Sequence, residues 1–175
     1  MQAVGSIVST PRRAVHEAGH VVACLIEGFI VARSSILRVG RSVQGYTQSS
    51  RLSPEQLRRQ LPDMDPIARR QEPERHALVS VAGSVAERLV FGYAHDCPEA
   101  RKAVQYLAAA GDAQDVIASR LSELGARAER IITAHRRQVM RMAGLLEHAH
   151  ELGRDLEGPA IHQFWADYLA GRPGS

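Results

Sequence analysis

The sequence predicts a mainly helical domain with a small β-sheet, on three observations. Aromatic residues make up only 5% of the 175 residues, whereas the helix-favouring Ala, Leu and Arg are frequent. Apolar residues recur at helical spacing in several segments bounded by Pro or Gly. Only two short stretches have the pattern of strands. The length suits one domain over residues 1–175.

The N-terminal segment is expected to form one helix followed by two strands. The predicted ranges are 11–27 for the helix, and 30–39 and 43–48 for the strands. Thr10 can cap the helix, Pro11 suits its first turn, and Gly28 can end it. The polar Gly40 region between the strands predicts a turn.

Residues 51–76 differ in composition, because they contain four prolines and six arginines. We expect a surface excursion that is either mobile or an ordered solvated loop, with at most a short helix at Pro54–Gln60. Such a segment could also gate access of a substrate to a site.

The C-terminal half is expected to be helical. Helices are predicted over 77–91, 98–110 and 158–169, together with one long helix that Asp112 caps and that ends near Leu152. The long helix has an apolar stripe at helical spacing. Gly92 and Gly111 follow the first two helices as stops.

Composition also argues against several classes of partner. The formal net charge is only +3, and the scarcity of aromatic residues argues against a base-stacking surface, so we expect no nucleic-acid partner. The longest apolar stretch, residues 21–36, is interrupted by charged residues and glycine, and no signal peptide is recognised, so we expect no membrane segment. Two cysteines, Cys24 and Cys97, predict no disulfide scaffold and favour a cytoplasmic location.

The motif His16-Glu17-Ala18-Gly19-His20 lies in the first predicted helix. Histidines four positions apart project from one helix face, so their rings can reach one metal ion. Zinc acidifies its bound water, and Glu17 is placed to accept the proton during attack on a carbonyl. The alternative is a pair of surface histidines, but the surrounding segment 15–26 is mainly apolar and predicts burial, where such side chains need polar partners.

A catalytic zinc site needs a third protein ligand, and the motif does not identify it. Six residues downstream have suitable side chains: Glu87, His95, Asp96, Cys97, Asp112 and Asp115.

The motif and several later segments resemble the FtsH-type zinc peptidases, peptidase family M41. Residues 14–20 resemble the family's zinc motif, and residues 36–47, ending Gly-Tyr-Thr, its following sheet segment. Residues 82–92 resemble its Gly-Gly-x-Ala-Ala-Glu-Glu-Leu-x-Phe-Gly segment, and residues 127–146 and 156–161 its last long helix and closing turn. The resemblance spans about residues 8–168. It implies a zincin-like fold, Zn²⁺ and metalloendopeptidase activity.

The resemblance also implies roles for individual residues. The family's third ligand is an aspartate four residues before an alanine, which matches Asp96 and Ala100. Asp112 is the alternative, although it aligns with the start of the final long helix. Glu87 is either a carboxylate that supports a ligand histidine or an ion-paired helix residue. Cys97 is expected to be a small buried residue. The other histidines are expected at the surface: His76, His135, His148, His150 and His162.

FtsH-type enzymes carry an ATPase module and a membrane anchor ahead of the peptidase, and neither pattern is recognised in this chain. Residues 40–47 superficially resemble a phosphate loop, but Tyr46 stands where the lysine is required, so we expect no ATP binding. The expected substrate is an unfolded or flexible polypeptide, bound along an exposed strand edge near the zinc. An inactive zinc-bound module that binds peptides or regulates a partner, and a zinc-stabilised structural protein, are the alternatives. Self-association, or an ATPase acting in trans, is possible.

Overall fold

The computed structural model describes residues 9–40, 42–94 and 98–171. These residues form a mainly helical protein with a small antiparallel sheet, which confirms the predicted fold class. In chain order the elements are α1 Thr10–Ile26, β1 Val31–Val39, β2 Ser42–Ser49, α2 Pro54–Gln60, α3 Pro66–Phe91, α4 Pro98–Ala109, α5 Gln114–Ala134, α6 Arg136–Glu151, β3 Leu156–Glu157 and α7 Gly158–Leu169.

Helix α1 is the centre of the fold. It packs against α3 and α6 and against both long strands, and twelve of its seventeen residues are buried. The predicted ends hold to within one residue, but the cap differs: Ser9 precedes the helix and makes no side-chain capping bond. Gly28 follows the helix with φ 78°, a conformation that glycine adopts without strain. None of the helices in the described ranges has the length and apolar character needed to cross a bilayer.

The sheet has the strand order β2-β1-β3, with both pairings antiparallel. Strand β1 is central, and the register sets Ile36 opposite Gly45 and Ser34 opposite Thr47. Gly45 lies inside strand β2, within the predicted strand, and φ of 60° at Gly40 marks the turn. Strand β3, only two residues long, carried no sequence signal. Among the described residues β2 has a strand on one side only, so its other edge is unpaired.

Residues 51–76 differ from the predicted surface excursion. The helix at Pro54–Gln60 is confirmed, but a 3₁₀ turn at Leu61–Asp63 follows it, and α3 starts eleven residues earlier than expected. Three of the four prolines, Pro54, Pro62 and Pro66, lie in the first turns of helices, and Pro73 lies inside α3. Ser53 forms a capping box with Gln56, and Asp65 accepts bonds from two amides of α3. Leu57 is fully buried, so the segment also contributes to the core.

The predicted long helix from Asp112 to Leu152 is two helices. Helix α5 packs mainly against α3, and α6 packs mainly against α1, so the chain changes direction between them. The change occurs at His135, which has φ −109° and ψ 24° and lies 3.2 Å from the Tyr168 hydroxyl through Nδ1. Asp112 does not cap α5, because Ala113 precedes the helix.

One of the histidines predicted at the surface is buried. His76 in α3 is 1% exposed, and its Nε2 accepts a hydrogen bond of 3.0 Å from the Leu52 amide. Its Nδ1 donates to the Glu72 carbonyl at 2.9 Å. These bonds attach the connection after β2 to α3, which a single-sequence pattern could not indicate.

Candidate metal centre

The two histidines of the motif face each other inside the protein. His16 and His20 are 2% and 5% exposed, and their Nε2 atoms lie 3.0 Å apart. Two nitrogens that bind one zinc ion at tetrahedral angles lie roughly 3.3 Å apart, given Zn–N distances near 2.05 Å. The pair therefore has close to the spacing that a shared metal ion requires.

The tautomer of His20 is defined by its surroundings. Its Nδ1 lies 2.7 Å from the carbonyl oxygen of Val79 in α3. A carbonyl only accepts, so Nδ1 bears the proton and Nε2 presents a lone pair towards His16. Burial, the neighbouring His16 and the Arg51 guanidinium hold the pKa of His20 well below its usual range. The ring is neutral at physiological pH, which is the form that binds a metal.

A carboxylate lies beside Nδ1 of His16, the ring nitrogen that does not face His20. The Nδ1 atom of His16 lies 3.7 Å from Oε1 of Glu87, a carboxylate that is 1% exposed. The same oxygen lies 3.5 Å from Nε of Arg12. Glu87 is thus both an ion-paired helix residue and a neighbour of the histidine. The Glu87 carboxylate lies beside Nδ1 of His16, whereas the two histidines face each other through Nε2. Glu87 is therefore not placed to bind the same metal ion as the two Nε2 atoms.

Glycine at two positions allows α1 and α3 to approach closely at this site. A Cβ built at Gly19 would lie 2.7 Å from Cβ of Ala86 and 2.8 Å from the Ala82 carbonyl. A Cβ built at Gly83 would lie 2.6 Å from Nε2 of His20 and 2.7 Å from Nε2 of His16. A side chain at Gly83 would fill the space in front of both nitrogens. The missing side chain leaves a cradle there that fits a metal ion.

Glu17 extends from α1 towards β2. It is 3% exposed, and Oε2 accepts a hydrogen bond of 2.9 Å from the Thr47 hydroxyl. Since that hydroxyl donates to Glu17, Ser34 donates in turn to Thr47 at 2.9 Å. A Cβ built at Gly45 would lie 2.5 Å from Oε1 of Glu17, so this strand glycine makes room for the carboxylate. Burial raises the pKa of Glu17, while His16 and the Thr47 bond oppose the rise.

The structure describes only some of the candidates for the third ligand. His95, Asp96 and Cys97 lie outside the described residues. Asp112 forms an ion pair with Arg120, which also pairs with Glu74. Within the described part of the chain, no group of three or more His, Cys, Asp or Glu side chains is arranged to hold a metal ion. The two histidines fit a metal, and their partner ligand stays a prediction.

Sequence reasoning singled out the three motif residues but not the residues of other elements that surround them. Thr47, Gly83 and the Val79 carbonyl contact the motif from other elements. Gly45 gave one usable signal, because a glycine inside a predicted strand indicates close approach of another group. Comparison with known protein-family models and with curated protein sequences gave no significant match. The resemblance to the FtsH-type peptidases therefore stays a prediction from the motifs.

Proposed function

We propose that this protein is a zinc-dependent endopeptidase that hydrolyses unfolded or flexible polypeptides. One observation carries the proposal: a buried carboxylate, Glu17, lies between a pair of facing imidazoles and an edge strand. His16 and His20 present Nε2 atoms that face each other, and Thr47 fixes the carboxylate from β2. A structural zinc site has no use for a carboxylate anchored in this way, whereas hydrolysis requires a base.

His16 and His20 would hold the zinc ion through Nε2, with Asp96 as the proposed third ligand. Helix α4 begins two residues after Asp96. Lys102 of α4 lines the same cavity as Thr47, the residue that holds Glu17, so the first turns of α4 lie beside the site. This position supports a third ligand from the chain just before α4.

A zinc ion bound there would acidify water and polarise the carbonyl of a peptide bond. Glu17 would accept the proton of the attacking water and return it to the amine nitrogen that leaves, so that one peptide bond and one water give an acid and an amine. The unpaired edge of β2 supplies backbone donors and acceptors for an extended substrate beside Glu17. Only an extended chain can use such an edge, which favours unfolded substrates.

The base is tested with Glu17→Gln, which keeps the size of the side chain and leaves the proposed ligands unchanged. Purified protein is assayed with a quenched peptide library and with casein, and its zinc content is measured in parallel. We expect wild-type zinc content with hydrolysis lowered by about 10²- to 10⁴-fold. Unchanged hydrolysis would contradict the role of Glu17, and a wild-type protein that binds zinc but cuts nothing would favour the inactive peptide-binding module.

The third ligand is tested by zinc content in Asp96→Ala, Asp112→Ala and Asp115→Ala. We expect Asp96→Ala alone to lose the metal, because Asp112 already pairs with Arg120. Loss of zinc in Asp112→Ala, with full zinc in Asp96→Ala, would show the assignment to be wrong. Thermal unfolding of each variant separates loss of a ligand from loss of the fold.

A further inference from the structure

A groove of about 330 Å³ lies between the end of β2, the start of α2 and α4. Its walls include Thr47, Arg51, Leu52, Lys102 and Tyr106. Thr47 is the residue whose hydroxyl holds Glu17 at 2.9 Å. One residue of the groove wall therefore contacts the candidate catalytic carboxylate, and the wall continues from there past the end of β2.

The side chains that line the groove include two cations and no carboxylate. Lys102 is half-exposed, and its only described ion pair is with Glu99 at 4.0 Å, a distance at which an exposed pair is weak. Arg51 is half-buried and forms no ion pair with a carboxylate among the described residues. A guanidinium in this position gains stability when an anion approaches it.

The hydrogen bonds of Arg51 are made to neutral groups. Its Nη1 donates to the His76 carbonyl at 3.3 Å and to the Ser80 hydroxyl at 3.2 Å, and its Nε is buried with no acceptor within the described residues. Its positive charge is thus held in place, and no carboxylate of the described residues pairs with it.

The backbone beside Arg51 is fixed on two sides. The Leu52 amide donates to Nε2 of His76 at 3.0 Å, and the Leu52 carbonyl accepts from the Tyr106 hydroxyl at 2.7 Å. Helices α3 and α4 thereby hold the groove wall in one conformation. A wall fixed in advance does not have to be ordered when a ligand binds, which favours affinity.

Building on the proposed peptidase function, we propose that this groove binds a substrate carboxylate on Arg51 and Lys102, within about four residues of the scissile peptide bond. The distance follows from the sequence separation of Thr47 and Arg51, since an extended chain advances about 3.3 Å per residue. Two sources supply this chemistry: the side chain of Asp or Glu, and the carboxylate at the C-terminus of a peptide.

The probes are unstructured N-acetylated dodecapeptides that contain a single Glu, moved one position at a time, and the same peptides with Gln. Each is made with a free and with an amidated C-terminus. Cleavage by the wild-type protein is followed by mass spectrometry, and binding to Glu17→Gln, which leaves the peptides intact, is followed by fluorescence anisotropy. We expect Glu within four residues of the cut to improve both cleavage and binding by about 10- to 100-fold over Gln.

The groove is tested with Arg51→Met and Lys102→Met, and Arg58→Met is the matched control, because Arg58 is an exposed arginine of α2 outside the groove. We expect both groove variants to lower the Glu-over-Gln ratio, Arg51→Lys to restore part of it, and Arg58→Met to leave it unchanged. If Arg51→Met does not fold, Lys102→Met alone tests the groove. If Lys102→Met keeps the wild-type preference for the peptide with the carboxylate, the proposal is overturned.

The outcomes distinguish the groove proposal from the peptidase proposal. If peptides with a free C-terminus are cut and bound better than amidated ones, whether they carry Glu or Gln, the bound group is the C-terminal carboxylate. If Glu is favoured over Gln in the amidated peptides, the bound group is a side chain. Equal cleavage and binding of Glu, Gln, free and amidated peptides overturns the groove proposal and leaves the peptidase in place. Cleavage of no peptide, with zinc bound, overturns the peptidase proposal; a Glu-dependent difference in binding alone would still support the groove.

Discussion

Gly83 of α3 lies close to Nε2 of His20, so that a Cβ at Gly83 would be 2.6 Å from that nitrogen. The His20 ring cannot turn aside, because its Nδ1 is bound to the Val79 carbonyl at 2.7 Å on the same helix. The proposed metal centre therefore depends on the close crossing of α1 and α3 as well as on the ligands themselves.

Substitution of Gly83 is expected to empty the site. Gly83→Ala places a methyl group where two nitrogens converge, so we expect zinc binding to be lost and the protein to be destabilised. The control is Gly125→Ala in α5, where no atom lies within 4 Å of the added Cβ. That variant should keep its zinc and gain roughly 0.5–1 kcal/mol of stability. Metal content and urea unfolding are the measurements; full zinc in Gly83→Ala would contradict the cradle.

Glu87 is expected to strengthen metal binding through His16. Glu87→Gln keeps the size of the side chain and removes the negative charge 3.7 Å from Nδ1 of His16. We expect zinc affinity to fall about 10- to 100-fold, measured by competition with a chelator. Glu129→Gln removes a half-exposed carboxylate that pairs with Arg88, and it should leave the affinity unchanged. Equal affinity in both variants would contradict a role of Glu87 in metal binding.

Thr47 is expected to position the base. Thr47→Val has nearly the same shape but cannot donate to Oε2 of Glu17, so the carboxylate loses a charge-assisted hydrogen bond. We expect kcat to fall about 10- to 100-fold, with zinc content preserved. The exposed Thr133→Val in α5 is the control. A change in KM alone would indicate that Thr47 contacts substrate instead of orienting Glu17.

His76 is expected to make stability depend on pH. Burial lowers its pKa from 6.5 to about 4, so between these values the unfolded chain binds the proton more readily than the folded one. The free energy of unfolding should therefore decrease as the pH falls through this window, by up to about 1.4 kcal/mol per pH unit. Urea unfolding in EDTA at several pH values measures the slope.

The variant comparison isolates His76 from other groups. His20 has a pKa lowered mainly by burial and adds to the slope in the same direction. His76→Gln should make the slope shallower than in the wild-type protein, by up to about 1.4 kcal/mol per pH unit. Identical slopes in the two proteins would show that His76 does not contribute to the pH dependence.

The substrate is expected to be an extended chain, because backbone must lie along the edge of β2 beside Glu17. We expect casein and a destabilised variant of a test protein to be cut, while the stable folded form of that protein is spared. ATP should not change the rate with this chain alone. Side-by-side digestion with and without nucleotide measures this; equal cleavage of both forms, or stimulation by ATP, would contradict it.

Local patterns were sufficient for several elements. Helix α1 with His16, Glu17 and His20 on it, the two long strands and the glycines that end helices were predicted because they depend on neighbours a few positions away. The prolines of residues 51–76 were misinterpreted, since the same residue that breaks a helix also starts one. The capping bonds of Ser53 and Asp65 distinguish the two cases.

The sequence by itself determined the chemistry that is available, namely two imidazoles and a carboxylate at helical spacing on an apolar helix. Only the tertiary structure decided how that chemistry is arranged. The partners of His20 and Glu17 are 59 and 30 positions away, and the break at His135 depends on which helices α5 and α6 pack against. Such contacts arise from packing between distant segments, and no periodicity within one segment encodes them.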